Sequence, residues 1–288
     1  MPRSIAIIAQ GAMGAGIAAR LTAHGATVLT SLAGRSSRSA ARAAAAGMRE
    51  VGDAGLGEAE LILSIVPPVE ARALAERLAP HLTATPRKPV FADCNAVSPE
   101  TVLGVAGVIA PTGCPFADAG IIGGPPRPDG YTPVVYVSGP AAPALAGLAA
   151  LGLDVRVLDG PVGAASALKM SYAGITKGLT GLAAAMLLAA ERAGAADGLR
   201  AELARSQPEL LAWFRRMVPT LHDKAYRWAG EMEEIAAFVQ PDAAAARIYT
   251  GLAGLYEGLA ADAAGERRAA SVLEAALRQQ QQRPHSAE

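Results

Sequence analysis

A cluster of glycines follows the first apolar run of the chain and could hold a phosphate group. Ile5–Ala9 is apolar and rich in isoleucine, and the turn Gly11–Gly14 (GAMG) leads into a segment with helical spacing. In dinucleotide-binding sheets such a turn lets the pyrophosphate approach the backbone, where the N–H groups of the helix start face it. Two of the three usual glycines are present, with Ala9 in place of the first. The context predicts cofactor binding, and the alternative is a turn that only packs a strand against a helix.

The end of the second predicted strand indicates which dinucleotide to expect. An acid about 20 residues after the glycine turn would bind the ribose hydroxyls of NAD. Residues Ser31–Arg38 (SLAGRSSR) contain no acid, but they include two arginines and three serines. A guanidinium pairs well with a phosphate, and hydroxyls can donate to it. We therefore expect NADP(H) to be preferred over NAD(H), although these residues could also form only a solvated loop that caps the next helix.

The elements that must position these residues alternate along the first half of the chain. Strand patterns are followed by helical patterns, which is typical of a doubly wound parallel sheet. After Gly163 only long alanine- and leucine-rich helical patterns occur. We predict an α/β fold, with a Rossmann-type parallel sheet domain over residues 1–160, an all-α domain over 161–278 and a disordered tail over 279–288. The expected strands are Ile5–Ala9, Ala26–Ser31, Glu60–Val66, Pro89–Asp93, Pro133–Ser138 and Asp154–Leu158.

Composition and charge argue against several other classes of protein. The 288 residues include 26 basic and 26 acidic side chains, so no positive field attracts nucleic acid. Two cysteines do not form a disulfide framework, and four scattered histidines do not suggest a metal site. The run Gly178–Ala190 is shorter than the ~20 residues of a membrane span, which indicates a buried helix. Because the N-terminus has no signal-peptide pattern, we expect a cytoplasmic protein.

Four short blocks follow one another in a recognisable order. They are the glycine turn, Asp93–Pro99 (DCNAVSP), Asp118–Gly124 (DAGIIGG) and Gly160–Lys169 (GPVGAASALK). Over residues 4–195 this order resembles the β-hydroxyacid dehydrogenase family, the group around 6-phosphogluconate and 3-hydroxyisobutyrate dehydrogenases. In that family the last three blocks read D-x-S-T-x-x-P, D-A-P-V-S-G-G and G-x-x-G-x-G-x-x-x-K. The tyrosine and alanine after the lysine resemble a divergent branch with its own C-terminal helical domain.

The resemblance implies that Lys169 is the general acid/base. Reduction of a carbonyl needs a proton on oxygen as hydride reaches carbon, and a nearby ammonium can supply it and stabilise the developing charge. Burial among apolar helix residues would lower the pKa of such a lysine toward a useful range. Without the resemblance, an ordinary solvated lysine would be the expectation.

The chain departs from the family where hydroxyl groups usually hold a substrate carboxylate. Asn95 and Ala96 replace a serine and a threonine, Ile122 replaces a serine, and Ala173 replaces the asparagine four residues after the lysine. A small, 3-hydroxy-acid-like carbonyl or alcohol is therefore expected as a class, without a named substrate. The expected cofactor contacts are Gly11, Ala12, Met13, Gly14, Arg35, Ser36, Arg38, Val66, Pro67 and Asn95, and the expected substrate contacts are Asn95, Gly123, Gly124, Tyr172 and Lys177.

A later block, His222–Glu234 (HDKAYRWAGEMEE), is unusually rich in functional groups. His222, Tyr226 and Glu233 would lie near one face of a helix. This is either an ordinary solvated helix face or a surface that a partner subunit contributes to the active site. The apolar composition of the second domain favours a homodimer.

The sequence thus predicts an NADP-dependent dehydrogenase or reductase that acts on a CH–OH group. Two alternatives stay open at this point. One is an imine reductase or reductive aminase, whose fold resembles this family but which usually lacks the lysine. The other is a catalytically silent NADP-binding protein, against which the retained Lys169 argues.

Overall fold

The computed structural model describes residues 4–277, so the predicted tail 279–288 lies outside them. Two compact units are present, Met1–Ser171 and Tyr172–Glu288. The division falls inside a long helix, whereas the sequence places the domain boundary after the last strand pattern. One continuous α-helix therefore contributes residues to both units.

The first unit is built on an eight-stranded sheet with the order β3-β2-β1-β4-β5-β6-β7-β8. Neighbouring strands are parallel except β6 and β7, which are antiparallel. Residues 123–133 join that pair without a helix, and a parallel partner would need a longer crossover. The strands are β1 (Ser4–Ile8), β2 (Thr27–Thr30), β3 (Arg49–Glu50), β4 (Leu61–Ser64), β5 (Val90–Asp93), β6 (Phe116–Ile122), β7 (Val134–Ser138) and β8 (Asp154–Val157).

Helices surround the sheet and then form the second unit. In the sheet unit they are α1 (Ala12–Ala23), α2 (Ser37–Ala45), α3 (Gly52–Gly55), α4 (Ala71–Ala84), α5 (Pro99–Ile109) and α6 (Ala142–Leu145). The helix α7 (Ala164–Arg192) begins in the sheet unit and ends in the helical unit. The helical unit continues with α8 (Ala196–Ser206), α9 (Pro208–Met217), α10 (Leu221–Phe238), α11 (Ala243–Ala264) and α12 (Arg268–Leu277). The predicted fold class, a mostly parallel Rossmann-type sheet followed by helices, is confirmed.

Apolar packing covers both faces of the sheet. Along β1 the residues Ile5 and Ile7 belong to one buried cluster, and Ala6 and Ile8 belong to another. Successive side chains of a strand point to opposite faces, so the two clusters lie on the two sides of the sheet. This explains why the strands read as continuous apolar runs without alternation. Neither β3 nor β6 was expected, because β3 has two residues and β6 is interrupted by Asp118 and Gly120.

Local sequence signals place the helix ends that matter for the site. Ser98 caps α5 by accepting a hydrogen bond from the Thr101 N–H at 3.2 Å, and Pro99 occupies the first helical position. Both features follow from ordinary helix-start chemistry. The helix begins six residues after the end of β5, and the five-residue loop between them carries Asn95.

In the helical unit, small residues of α7 allow close helix packing. A Cβ on Gly181 would lie 2.6 Å from the Leu252 side chain, and one on Gly174 would lie 3.0 Å from the Tyr249 hydroxyl. Tyr256 is fully buried and packs edge-on against Trp228 at 5.6 Å between ring centroids. Among residues 4–277, α7 alone has the length and hydropathy of a membrane span, features it shares with the core helices of soluble proteins.

Candidate active site

The glycine turn joins β1 to α1 and leaves the start of that helix open. Gly11 is the N-cap of α1, no side chain caps the helix, and its first turn contains no acid. A Cβ on Gly14 would collide with the Ala9 carbonyl oxygen, whereas a Cβ on Gly11 would meet no atom within 4 Å. Gly14 is thus needed for packing, and Gly11 faces open space. The uncapped N–H groups and the helix dipole suit an anionic group such as a pyrophosphate.

Gln10 fastens this turn to the neighbouring strand. Its buried amide nitrogen donates to the Thr30 hydroxyl and, at 2.9 Å, to the Ser31 carbonyl oxygen. The Gln10 Oε1 atom is buried and has no hydrogen-bond partner among the described residues. Arg42 of α2 donates from Nε to the Gln10 carbonyl oxygen at 2.8 Å. The turn is therefore held from β2 and α2, and Arg42 adds a positive charge that the sequence reasoning missed.

The three residues predicted to bind the 2′-phosphate, in the segment after β2, lie in three different environments. Arg35 forms an ion pair with Glu70 at 3.3 Å, and 21% of its side chain is exposed. Ser36 is the N-cap of α2 and accepts a hydrogen bond from Ser39 N–H at 3.3 Å. Arg38 is exposed. Arg35 is held by Glu70 in the loop after β2. Ser36 caps α2, which is the alternative role given above for the polar residues of this loop.

The sequence reasoning also missed Glu70, which lies 35 positions from Arg35. It immediately precedes α4, after the Pro67-Pro68 turn that follows β4. The sequence at the end of β2 gives no sign of Glu70, because this carboxylate belongs to the segment between β4 and α4. The arginine spacing along α2 could have indicated Arg42, since it lies one turn after Arg38.

Asn95 is buried in a network that fixes the ends of β4 and β5. Its Oδ1 accepts from the Val66 N–H at 2.6 Å, and its Nδ2 donates to Ser64 and Asp93 at 2.9 Å each. Both amide hydrogens are thus used inside the protein, and only 2% of the residue is exposed. Asn95 therefore positions the Val66–Pro67 backbone in this structure, and its direct contact with cofactor or substrate stays a prediction.

Four buried polar side chains form one row across the sheet. The register pairs Ser64 with Asp93, Asp93 with Asp118, and Asp118 with Ser138. Burial raises the pKa of the adjacent Cys94 thiol, and the carboxylates of Asp93 and Asp118 raise it further. This thiol therefore stays protonated, which makes it unsuited to act as a nucleophile at neutral pH.

Asp118 fastens the start of α7 to β6. Its carboxylate accepts hydrogen bonds from the Gly163 N–H at 2.9 Å, from the Ser166 N–H at 3.0 Å and from the Ser166 hydroxyl at 2.7 Å. The Ser138 hydroxyl donates to it at 3.0 Å. A carboxylate at a helix N-terminus also interacts favourably with the helix dipole. These contacts fix the first turn of α7 against the sheet.

Lys169 lies one turn further along α7 and reaches the carboxyl end of β6. Its Nζ donates to the Ile121 carbonyl oxygen. A Cβ on Gly120 would lie 2.8 Å from the Ala165 carbonyl oxygen and 3.1 Å from Lys169 Cβ, so α7 packs closely on β6 there. Ligands of open α/β sheets bind outside the carboxyl ends of the strands. The half-buried ammonium of Lys169 is therefore at the edge where a substrate would be expected.

The predicted backbone donors follow directly after β6. Gly123 has a φ of 127°, a conformation that favours glycine. The Gly124 N–H donates to the Tyr131 hydroxyl at 3.0 Å, and the Arg127 guanidinium lies 4.5 Å from the Tyr131 ring centroid. The Gly124 N–H is thus engaged by Tyr131 in this structure, and a contact of Gly123 or Gly124 with substrate stays a prediction.

In the helical unit, Lys177 forms a buried ion pair with Glu231. Its Nζ lies 5.3 Å from the ring centroid of Trp228, and Lys224 lies 5.9 Å from the same centroid. Burial lowers the pKa of Lys177, although the Glu231 carboxylate opposes that shift. The ammonium is therefore already engaged, and its contact with a substrate anion stays a prediction.

The other predicted groups of the helical unit differ in their exposure and contacts. Tyr172 is 53% exposed and Tyr226 is 72% exposed, and Glu233 is exposed as well. His222 lies 3.2 Å from Glu274 of α12. A shared role of His222, Tyr226 and Glu233 therefore stays a prediction. No group of three or more potential metal ligands occurs among residues 4–277.

Two family models match the chain, one in the sheet unit and one in the helical unit. Residues 4–145 match the family described as the NAD binding domain of 6-phosphogluconate dehydrogenase, and residues 190–259 match a domain of unknown function (DUF1932). No curated protein sequence matches the chain significantly.

Three solved structures are similar over most of the chain. The conserved protein MTH1747, described as structurally similar to 3-hydroxyacid dehydrogenases, is 27% identical, with a TM-score of 0.68 over 88% of this chain and 98% of that one. The Mycobacterium tuberculosis 3-hydroxyisobutyrate dehydrogenase bound to L-serine is 19% identical, with a TM-score of 0.71 over 96% and 99%. A reductive aminase from Aspergillus terreus in complex with NADPH is 19% identical, with a TM-score of 0.54 over 96% and 99%.

The family match over residues 4–145, together with a mostly parallel sheet and an uncapped glycine turn after its first strand, supports the class of NAD(P)-binding oxidoreductases. The sheet domain and the structural neighbours match a divergent β-hydroxyacid dehydrogenase family, and the C-terminal domain is one of unknown function. The resemblance stated from the four sequence blocks is confirmed.

Proposed function

We propose that the protein is an NADP-dependent reductase or dehydrogenase that acts on a small, 3-hydroxy-acid-like carbonyl or alcohol. The observation that carries this proposal is the position of Lys169 at the carboxyl end of β6, within the same unit as the open glycine turn. Bound NADP(H) would supply or accept the hydride. The side chains supply binding, orientation and the proton.

Lys169 is suited to the proton step because its Nζ is held by a neutral backbone oxygen, that of Ile121. That hydrogen bond holds the ammonium at the carboxyl edge of the sheet. In the reducing direction the ammonium would donate a proton to the carbonyl oxygen as that atom gains negative charge. In the oxidising direction the neutral amine would accept the proton of the alcohol.

The cofactor would be held by contributions from three strand ends. The N-terminus of α1 would bind the pyrophosphate, because Gly11 leaves room and the helix has no capping side chain. Arg35 would bind the 2′-phosphate of NADP, with Arg38 as an exposed second cation. The Val66–Pro67 backbone, fixed by Asn95, would contact the dinucleotide between them. The structurally similar reductive aminase binds NADPH, which is compatible with this preference.

The active form would be a cytoplasmic homodimer formed through the helical unit. Four large apolar side chains of α7 are exposed at helix-face spacing: Tyr172 (53%), Ile175 (70%), Leu182 (51%) and Met186 (59%). With the partly buried Leu179 they repeat at intervals of three and four residues, which is the pattern of a helix–helix seam. A second copy of the same helix would cover this stripe.

The experiment that tests the function combines binding and turnover. We would titrate the purified protein with NADPH and NADH and follow the cofactor fluorescence. NADPH oxidation would then be measured with a panel of small 3-oxo acids, aldehydes, neutral ketones and imines. Tight NADPH binding and oxidation with a carbonyl compound is the expected result. Binding without turnover on the whole panel would instead favour a silent NADP-binding protein, and binding of neither cofactor would refute the proposal.

A further inference from the structure

The guanidinium that is expected to bind the 2′-phosphate has an acidic neighbour. Arg35 follows β2 and Glu70 precedes α4, yet their Nη2 and Oε2 atoms lie 3.3 Å apart. The loop that carries Arg35 also has a hydrogen bond to α4, because Arg77 Nη1 donates to the Ala33 carbonyl oxygen at 3.5 Å. Arg77 in turn pairs with Asp53 at 3.4 Å. Two carboxylates and two guanidiniums therefore lie at this end of the expected cofactor site.

We propose that Glu70 is a specificity-determining residue that weakens the NADP preference set by Arg35; this rests on the proposed function. A 2′-phosphate placed on Arg35 would carry its negative charges next to the Glu70 carboxylate, and like charges repel at this distance. The 2′-hydroxyl of NAD would instead donate a hydrogen bond to that carboxylate, as acids do in NAD-binding sites. With Glu70 present the protein favours NADP(H) over NAD(H) only moderately, and without the Glu70 charge it favours NADP(H) strongly.

The Glu70 side chain is not needed to cap its helix. Glu70 is the N-cap residue of α4, but its side chain makes no capping hydrogen bond. Its side chain is 45% exposed, and a surface ion pair of this kind contributes little to folding stability. The carboxylate can therefore be neutralised without loss of the fold, and its partner Arg35 keeps its five donors.

The test compares Glu70→Gln with the matched control Glu76→Gln. Glu76 lies on the same helix in a similar exposed pair, with Arg72 at 2.8 Å. Dissociation constants for NADPH and NADH would be measured by fluorescence titration at low salt. For Glu70→Gln we expect NADPH to bind about tenfold tighter and NADH to bind no tighter, an effect that salt diminishes. Glu76→Gln should leave both constants unchanged.

A further variant shows whether the effect acts through the arginine. In Arg35→Ala/Glu70→Gln the gain for NADPH should disappear, because the freed guanidinium is absent. An unchanged ratio of NADPH to NADH affinity in Glu70→Gln would overturn this inference alone, provided that the unmodified protein binds NADPH. If the unmodified protein binds neither dinucleotide, the proposed function fails first and this inference fails with it.

Discussion

The Asp118 carboxylate of β6 accepts hydrogen bonds from both the backbone N–H and the hydroxyl of Ser166, three residues before Lys169. The two residues are 48 positions apart in the sequence. This contact joins the sheet to the helix that carries the proposed proton donor. The position of Lys169 therefore depends on a buried carboxylate that would not itself touch the substrate.

Replacement of Asp118 should destabilise the sheet unit. In Asp118→Ala the donors of Gly163, Ser138 and Ser166 lose their acceptor inside a buried site. We expect the free energy of unfolding to fall by about 3 kcal/mol or more. Urea denaturation would measure this, with Asp154→Ala as a control, since Asp154 is an exposed partner of Arg156. Equal, small effects of both substitutions would contradict the anchoring role.

The two glycines of the turn should respond differently to alanine. Gly11→Ala meets no neighbouring atom, so the fold should persist while NADPH affinity falls at least tenfold because a methyl group would block the pyrophosphate. Gly14→Ala would force Cβ onto the Ala9 carbonyl oxygen, so the protein should lose several kcal/mol of stability. Thermal unfolding and cofactor titration separate the two effects. A Gly11→Ala variant with unchanged affinity would place the cofactor elsewhere.

Lys169→Ala should abolish turnover while cofactor binding persists. Loss of a positioned proton donor costs about 10²–10⁴-fold in rate, and loss of charge stabilisation adds to it. The control is Lys88→Ala, because Lys88 only donates to carbonyl oxygens at the end of α4 in the same unit. Single-turnover NADPH oxidation would measure the effect once a substrate is known. A turnover near that of the unmodified protein would exclude Lys169 as the acid/base.

The apolar stripe of α7 should determine the oligomeric state. Leu182→Glu would place a charge in the proposed dimer seam, so we expect a monomer at micromolar concentration. Leu103→Glu is the matched control, since Leu103 is 54% exposed on α5 of the other unit. Light scattering coupled to size-exclusion chromatography would distinguish the two. A monomeric unmodified protein, or a dimer that survives Leu182→Glu, would argue against this seam.

The contribution of Lys177 to the free energy of unfolding should change with pH in the alkaline range. Burial lowers the pKa of this lysine in the folded state from its ordinary value of 10.5. Between the lowered value and 10.5 the unfolded chain binds more protons than the folded one, so stability rises with pH. We expect the unfolding free energy of the unmodified protein, relative to Lys177→Met, to increase as pH rises toward 10. Urea titrations between pH 7 and 10 would show it, and a constant difference would contradict the shift.

Much of the fold could be predicted from local patterns. The strand runs, the glycine turn and the Ser98–Pro99 helix start are short-range signals, and the structure contains all of them. The strand β6 was missed because Asp118 and Gly120 interrupt its apolar run. In the structure these two residues receive the start of α7, so the interruption reflects tertiary packing rather than a loop.

The sequence by itself determined the order of elements, the open turn at Gly11 and the place of Lys169 on its helix, because backbone propensity and apolar periodicity act over a few residues. Tertiary structure alone decided which polar groups are already engaged. Asn95 reaches Ser64 across 31 positions, and Arg35 reaches Glu70 across 35. These partners are set by strand register and helix packing, which bring distant residues within hydrogen-bonding distance and leave no trace in the local pattern of either segment.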